Sequence, residues 1–201
     1  MTRIFTTLAV CSTGLLLAAL WLGFQIGDAS LRSAAVQARF SMHFLTGMGS
    51  LVFALLVHAL VVTYFMGTGR WLEETCSAYR LSASWQTGSK NLKWRLYPAI
   101  VTSFLLLILA GASGGAADPA SPVGFKGWGS LTAAEVHLIV VGLALAVNMG
   151  VNTAEYVALS RNGRLVNGVL QEVRRIRQER GLDVIPNSHP PRYQPEAPAR
   201  E

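Results

Sequence analysis

The sequence predicts an all-α, polytopic membrane protein: a four-transmembrane-helix bundle followed by a C-terminal cytoplasmic amphipathic helix. Three observations carry that prediction. Only 14% of the 201 residues are charged and 51% are hydrophobic, against about a quarter charged in an ordinary soluble domain. The uncharged residues are gathered into four runs, each near the roughly 20 residues that cross a bilayer. Lysine and arginine collect in some of the connections and are sparse in others, the asymmetry that membrane insertion produces.

The spans fall at about 4–26, 40–66, 96–112 and 131–156, inside a transmembrane domain of residues 1–160. The first run follows Arg3 and has small residues after it, as a signal peptide would. Its apolar core exceeds the roughly 7–15 residues of a signal sequence, so a retained span is expected. The 67–95 connection holds Arg70, Arg80, Lys90, Lys93 and Arg95. The region after the fourth span holds Arg161, Arg164, Arg174, Arg175, Arg177 and Arg180. The other two connections carry only Arg32 and Arg39, and Lys126. Positive charge stays inside, so both termini and the 67–95 connection are expected in the cytoplasm, with the chain multi-pass in the cell (inner) membrane. Tyr64, Trp71, Trp94, Trp128 and Tyr156 stand near span ends, where amphipathic rings are favoured.

The connections read as follows. Gly67-Thr68-Gly69 lacks the Lys-Ser/Thr of a phosphate-binding loop and predicts a flexible or kinked exit from the bilayer. Residues 111–130, rich in Gly, Ala, Ser and Pro, predict an irregular exposed loop. In 161–181, Val166, Val169, Val173 and Ile176 recur at 3-4-3 spacing on one helical face. That face has three uses: a short coiled coil, a seat on anionic lipid headgroups, or packing on the chain's own 67–95 segment. The tail 182–201 carries five of the eight prolines and predicts disorder.

Composition also excludes classes. The net charge of +6 could suggest nucleic acid, but the basic residues flank apolar runs and no nucleic-acid-binding motif accompanies them. The expected partners are the bilayer, anionic headgroups at the cytoplasmic face, and a membrane-complex partner or further copies of the chain. Cys11 and Cys76 lie in different environments and imply no disulfide. No HExxH, GxSxG or paired acid–base carboxylates occur, so the chain is not expected to be an enzyme.

What remains is a small set of ionisable groups inside the spans: His43, His58, His137 and Glu155, with Glu135 at the rim. Such groups are costly in a bilayer and are functional-site candidates by default. His43 and His58 lie 15 positions apart, on broadly one face and roughly 22 Å apart along the axis. Gly47, Ser50 and Ala54 stand between them. On the fourth span, His137, Ala144, Asn148, Asn152 and Glu155 share a face. Gly142, Ala146 and Gly150 form a small-residue series on an adjacent face, suited to tight helix contact.

Three readings follow. His43 and His137 lie at similar depth and can hold a b-type haem between two facing helices. A second haem would need a further ligand where Asn152 stands, so at most one is expected. Alternatively, His58, Asn148, Asn152 and Glu155 form an ion or proton path. The plainest reading is interhelical hydrogen bonding in an accessory or scaffold protein, worth about 0.6 kcal/mol per bond and up to about 1.7.

Overall fold

The computed structural model describes residues 1–27, 31 and 33–182. The tail predicted to be disordered, from 183 onward, and Arg32 lie outside the described residues. Four helices dominate: α1 Thr2–Phe24, α2 Ala34–Tyr79, α3 Ser84–Ala117 and α4 Ala133–Glu179. Each is long and apolar enough to cross a membrane. A two-residue hairpin, β1 Gly127–Trp128 with β2 Leu131–Thr132, precedes α4.

Helix starts are set by side chains that take up free backbone N–H groups. Ser33 accepts from Val36 N at 3.3 Å. Thr132 and Glu135 form a reciprocal capping box, which fixes where α4 begins, five residues from His137. α2 ends on Arg80 in the left-handed conformation (φ 53°), and three residues then turn the chain into α3.

The helices form an up-and-down bundle. His43 meets His137, His58 meets Asn148 and Glu155, and Leu72 meets Val169, so α2 and α4 run in the same direction. α1 and α3 run against them. The central core joins Phe5 and Ala9 of α1, Val57, Val61 and Phe65 of α2, Leu96 and Ile100 of α3, and Val151, Ala158 and Leu159 of α4. The outer surface is also apolar: Val10, Leu45 and Leu105 are each more than 60% exposed. Water would not favour such a surface; hydrocarbon would.

α2 and α4, of 46 and 47 residues, each span about 70 Å at 1.5 Å per residue. α3, of 34 residues, spans about 51 Å; the hydrocarbon core of a bilayer takes about 30 Å, so these three helices are longer than a crossing needs. Leu72, Cys76 and Val169 form a second core with Trp71, Leu81, Trp85, Val166 and Val173. Packing on the chain's own 67–95 segment, one of the three uses of the 161–181 face, is present. The segment is an unbroken continuation of α4, not a separate helix. Gly168 lies against Trp85, leaving no room for a Cβ.

Three local expectations are corrected. α2 passes through Gly67–Gly69 without a break, because packing on both sides outweighs the glycines' helix cost of about 1 kcal/mol each. Residues 111–117 belong to α3, where Gly114 admits a neighbouring ring. Finally, Gly142 and Gly150 have nothing within 4 Å of an added Cβ, so at these glycines that face makes no tight contact among the described residues.

Candidate functional site

Two polar sites occupy the bundle, one near the end bearing the 118–132 connection and one deeper. The first is built by two helix pairs that each aim one imidazole. On α2, His43 Nδ1 lies 2.9 Å from the Ala19 carbonyl of α1. A carbonyl only accepts, so Nδ1 carries the proton and Nε2 keeps a lone pair. On α4, His137 Nδ1 lies 3.0 Å from Ser113 Oγ of α3. That hydroxyl donates its single proton to the Ala110 carbonyl at 3.0 Å, so it accepts from Nδ1–H. Again Nε2 is left with a lone pair.

The two halves are built alike. The carbonyl that ends the hydrogen-bond chain from the imidazole belongs to Ala19 in one half and, through Ser113, to Ala110 in the other. Four residues on stand Gly23 and Gly114. An added Cβ on Gly23 would lie 3.1 Å from His43 Cε1, and one on Gly114 3.0 Å from His137 Cε1. The glycines are therefore the space into which the rings fit. An imidazole whose second nitrogen is oriented by a hydrogen bond is how proteins prepare a metal ligand.

The ring centroids are 6.3 Å apart with planes at 77°, an edge-on, T-shaped arrangement. Among the described residues no hydrogen-bond partner reaches either Nε2. Both rings border a cavity of about 370 Å³ reached by all four helices, within the roughly 300–1,000 Å³ of ordinary ligand sites. Its walls include Ala19, Gly47, Gly111 and Ala144, with Leu107 and Val141 as larger apolar surface. Asp118 and Glu135 stand at its rim. Among the described residues no third His, Cys, Asp or Glu joins the pair as a metal-binding group.

The second site centres on His58, which is fully buried. Its Nδ1 lies 2.8 Å from Glu155 Oε1. Its Nε2 lies 3.0 Å from both Ser103 Oγ and Asn148 Oδ1. Three helices thus converge on one ring, with Phe104 packed against its face. Asn152, expected on this face, makes no hydrogen bond there; its Oδ1, Glu155 Oε2 and Asn148 Nδ2 are buried without partners among the described residues.

A third polar cluster ties the helical extension together. Ser89 Oγ donates to Asn162 Oδ1 at 2.7 Å, and Asn162 Nδ2 donates to Thr68 Oγ1 at 3.0 Å. These groups satisfy one another and present no free atom to a ligand. Nearby, burial pushes the Cys76 thiol pKa up, partly offset by Gln86, leaving it an inert core side chain.

Sequence reasoning brought forward His43, His137, His58, Asn148, Asn152 and Glu155, and missed the residues that orient them. Ser103 and Ser113 were legible only as serines in apolar helices. Gly23 and Gly114 gain meaning only when an imidazole from another helix lies against them. Comparison with sequence models of known protein families, with curated proteins and with solved structures finds no match for this chain.

Proposed function

We propose that this chain is a small multi-pass membrane haem protein, an electron-transfer or accessory subunit that holds one b-type haem between His43 and His137. The observation that carries the reading is the pair of like-built imidazoles whose ring centres stand 6.3 Å apart, each with its Nδ1 held by a hydrogen bond. A metal–imidazole bond is about 2.0–2.1 Å, and about 1.2 Å separates nitrogen from ring centre, so two imidazoles that would share one iron would have ring centres at most about 6.4 Å apart. Two protein ligands with no third suit a macrocycle that brings four equatorial nitrogens of its own. The apolar walls and small residues suit a flat, apolar ring, and low polarity around it tunes its potential. The group would supply one-electron chemistry; this chain would bind, orient and shield it.

Lysine and arginine asymmetry supports an orientation in the cell (inner) membrane with both termini cytoplasmic. In that orientation the haem site lies toward the outer face. The helical extension, with its exposed Arg70 and Arg175, lies in the cytoplasm near anionic headgroups.

The test is a visible spectrum of protein purified in detergent from haem-replete cells, oxidised and then dithionite-reduced. A sharp, split reduced band of low-spin haem is expected, lost in His43→Ala and His137→Ala. A folded, colourless wild-type preparation would rule the reading out.

A further inference from the structure

His58 and Glu155 play no part in holding the haem proposed above, yet they are the most deeply buried ionisable pair among the described residues, both 0% exposed. Burying charge that far costs several kcal/mol per ion unless the partners are complete. Here they are not complete. Glu155 Oε2, Asn148 Nδ2 and Asn152 Oδ1 are buried and unpartnered. All three sit on one face of α4, separated by steps of four and three residues, so Asn152 lies one turn from each of the others.

The chemistry of these three atoms identifies what fits them. With Asn148 Oδ1 on the ring, the three atoms are two acceptors and one donor. Water both donates and accepts: it can donate to Glu155 Oε2 and Asn152 Oδ1 and accept from Asn148 Nδ2. Buried waters typically make two to four such bonds.

Proton bookkeeping around the imidazole then gives two states. With Asn148 Oδ1 turned to the ring, Nε2 must carry a proton, because an amide oxygen only accepts. One more proton lies between Nδ1 and Glu155 Oε1. The pair then holds two protons and is neutral overall. If the proton on Nε2 leaves, the pair carries one negative charge. Nε2 then accepts from Ser103 Oγ–H, or from Asn148 Nδ2 after its amide turns over. Asn148 can serve both states because its two ends have opposite polarity.

We infer that His58 and Glu155 form a proton-binding site, served by internal water along the Asn148–Asn152–Glu155 face of α4. The site exchanges one proton with bulk solvent through that water: as the water passes a proton to Nε2 it receives one from solvent hydronium, so the relaying water is unchanged and the pair goes from one negative charge to neutral. Among the described residues no second titratable group competes for this role. α3 presents Ser103 and Phe104 to the ring. α1 presents Phe5 and Ala9 to the same core, and its Cys11 is exposed. On α2 itself, Tyr64 packs at the core's margin with no hydrogen bond to the pair.

The test uses the full chain in lipid nanodiscs. Infrared difference spectra are recorded between about pH 5 and about pH 9, the range in which an imidazole ordinarily titrates, in H₂O and D₂O. A carboxyl or imidazole difference band that shifts in D₂O, and is lost in both Glu155→Gln and His58→Gln, is expected. Circular dichroism checks that the variants fold. If they do not, the ¹⁵N imidazole signals of the wild type decide the matter, with His58 assigned by its contact to Glu155. A His58 that changes protonation across the range and exchanges with D₂O supports the site. Signals that stay constant across the range, or remain unexchanged after days, would overturn it and leave a locked structural hydrogen bond.

Discussion

Gly114→Ala adds one methyl group at the point where α3 meets His137. The new Cβ would lie 3.0 Å from Cε1, 3.4 Å from Nε2 and 3.5 Å from Nδ1, so the ring must retreat by a few tenths of an ångström. Without haem the imidazole can swing into the cavity, and the cost to the fold is small. Were His137 to hold a haem, its Nε2 would be fixed on one side while Ser113 holds Nδ1–H on the other. The crowding is then felt as lost affinity. Overpacking of this kind costs about 1–3 kcal/mol, and each 1.4 kcal/mol is tenfold, so haem should bind roughly 5- to 150-fold more weakly. The assay is titration of haem into the detergent-solubilised apoprotein, followed in the visible region. Gly23→Ala, with its Cβ 3.1 Å from His43 Cε1, should behave alike. Gly14→Ala, which has nothing within 4 Å, should bind as wild type does. Unchanged affinity and spectrum in both Gly114→Ala and Gly23→Ala would refute the idea that these glycines exist to admit the ligand rings.

Other consequences can be measured with the same preparations. His58→Leu leaves Glu155 buried without its partner and should cost about 3–5 kcal/mol in unfolding experiments; His58→Leu with Glu155→Leu should recover much of that, since an apolar pair replaces the ionisable one. Recovery of nothing would mean the site is held by packing alone. Ser103→Ala removes one contact to His58 and should cost only about 0.6 kcal/mol, and at most about 1.7. Cys76, its thiol pushed up by burial, should resist maleimide in a Cys11→Ser background until the helical extension is unfolded. On the exposed face of α4, hydrogen bonding to Arg175 lowers the Glu172 carboxyl pKa. Its contribution is therefore present above the usual carboxylate range and lost as pH falls through the lowered value. After division by the intrinsic exchange rate at each pH, amide protection near 172–179 should fall on acidification and be insensitive to pH above neutrality.

How far the sequence spoke depended on whether a feature was local. The four apolar runs announce themselves because hydropathy over about 20 residues needs no tertiary information. Helix ends were less legible: the first part of the 67–95 connection reads as a continuation of the second helix, as the structure has it, but how far it runs does not show in the sequence. α2 continues to Tyr79 and α3 begins at Ser84, well inside the 67–95 connection, because a second core around Leu72 and Val169 rewards helix outside the bilayer. The pairing of polar groups was partly legible. Equal depth on α2 and α4 put His43 beside His137 and His58 beside Asn148. Ser113 and Gly114 were hidden inside a stretch whose composition reads as loop. Their helical state depends on α4 packing against them, which no window of sequence reports.

The haem assignment is tested most directly by electron paramagnetic resonance of the oxidised protein. The imidazole planes stand at 77°, so His43 and His137 as axial ligands should give one highly anisotropic low-spin signal per chain, absent in either alanine variant. A high-spin signal, a rhombic signal typical of parallel planes, or no haem signal from folded protein would contradict ligation by these two rings as they stand.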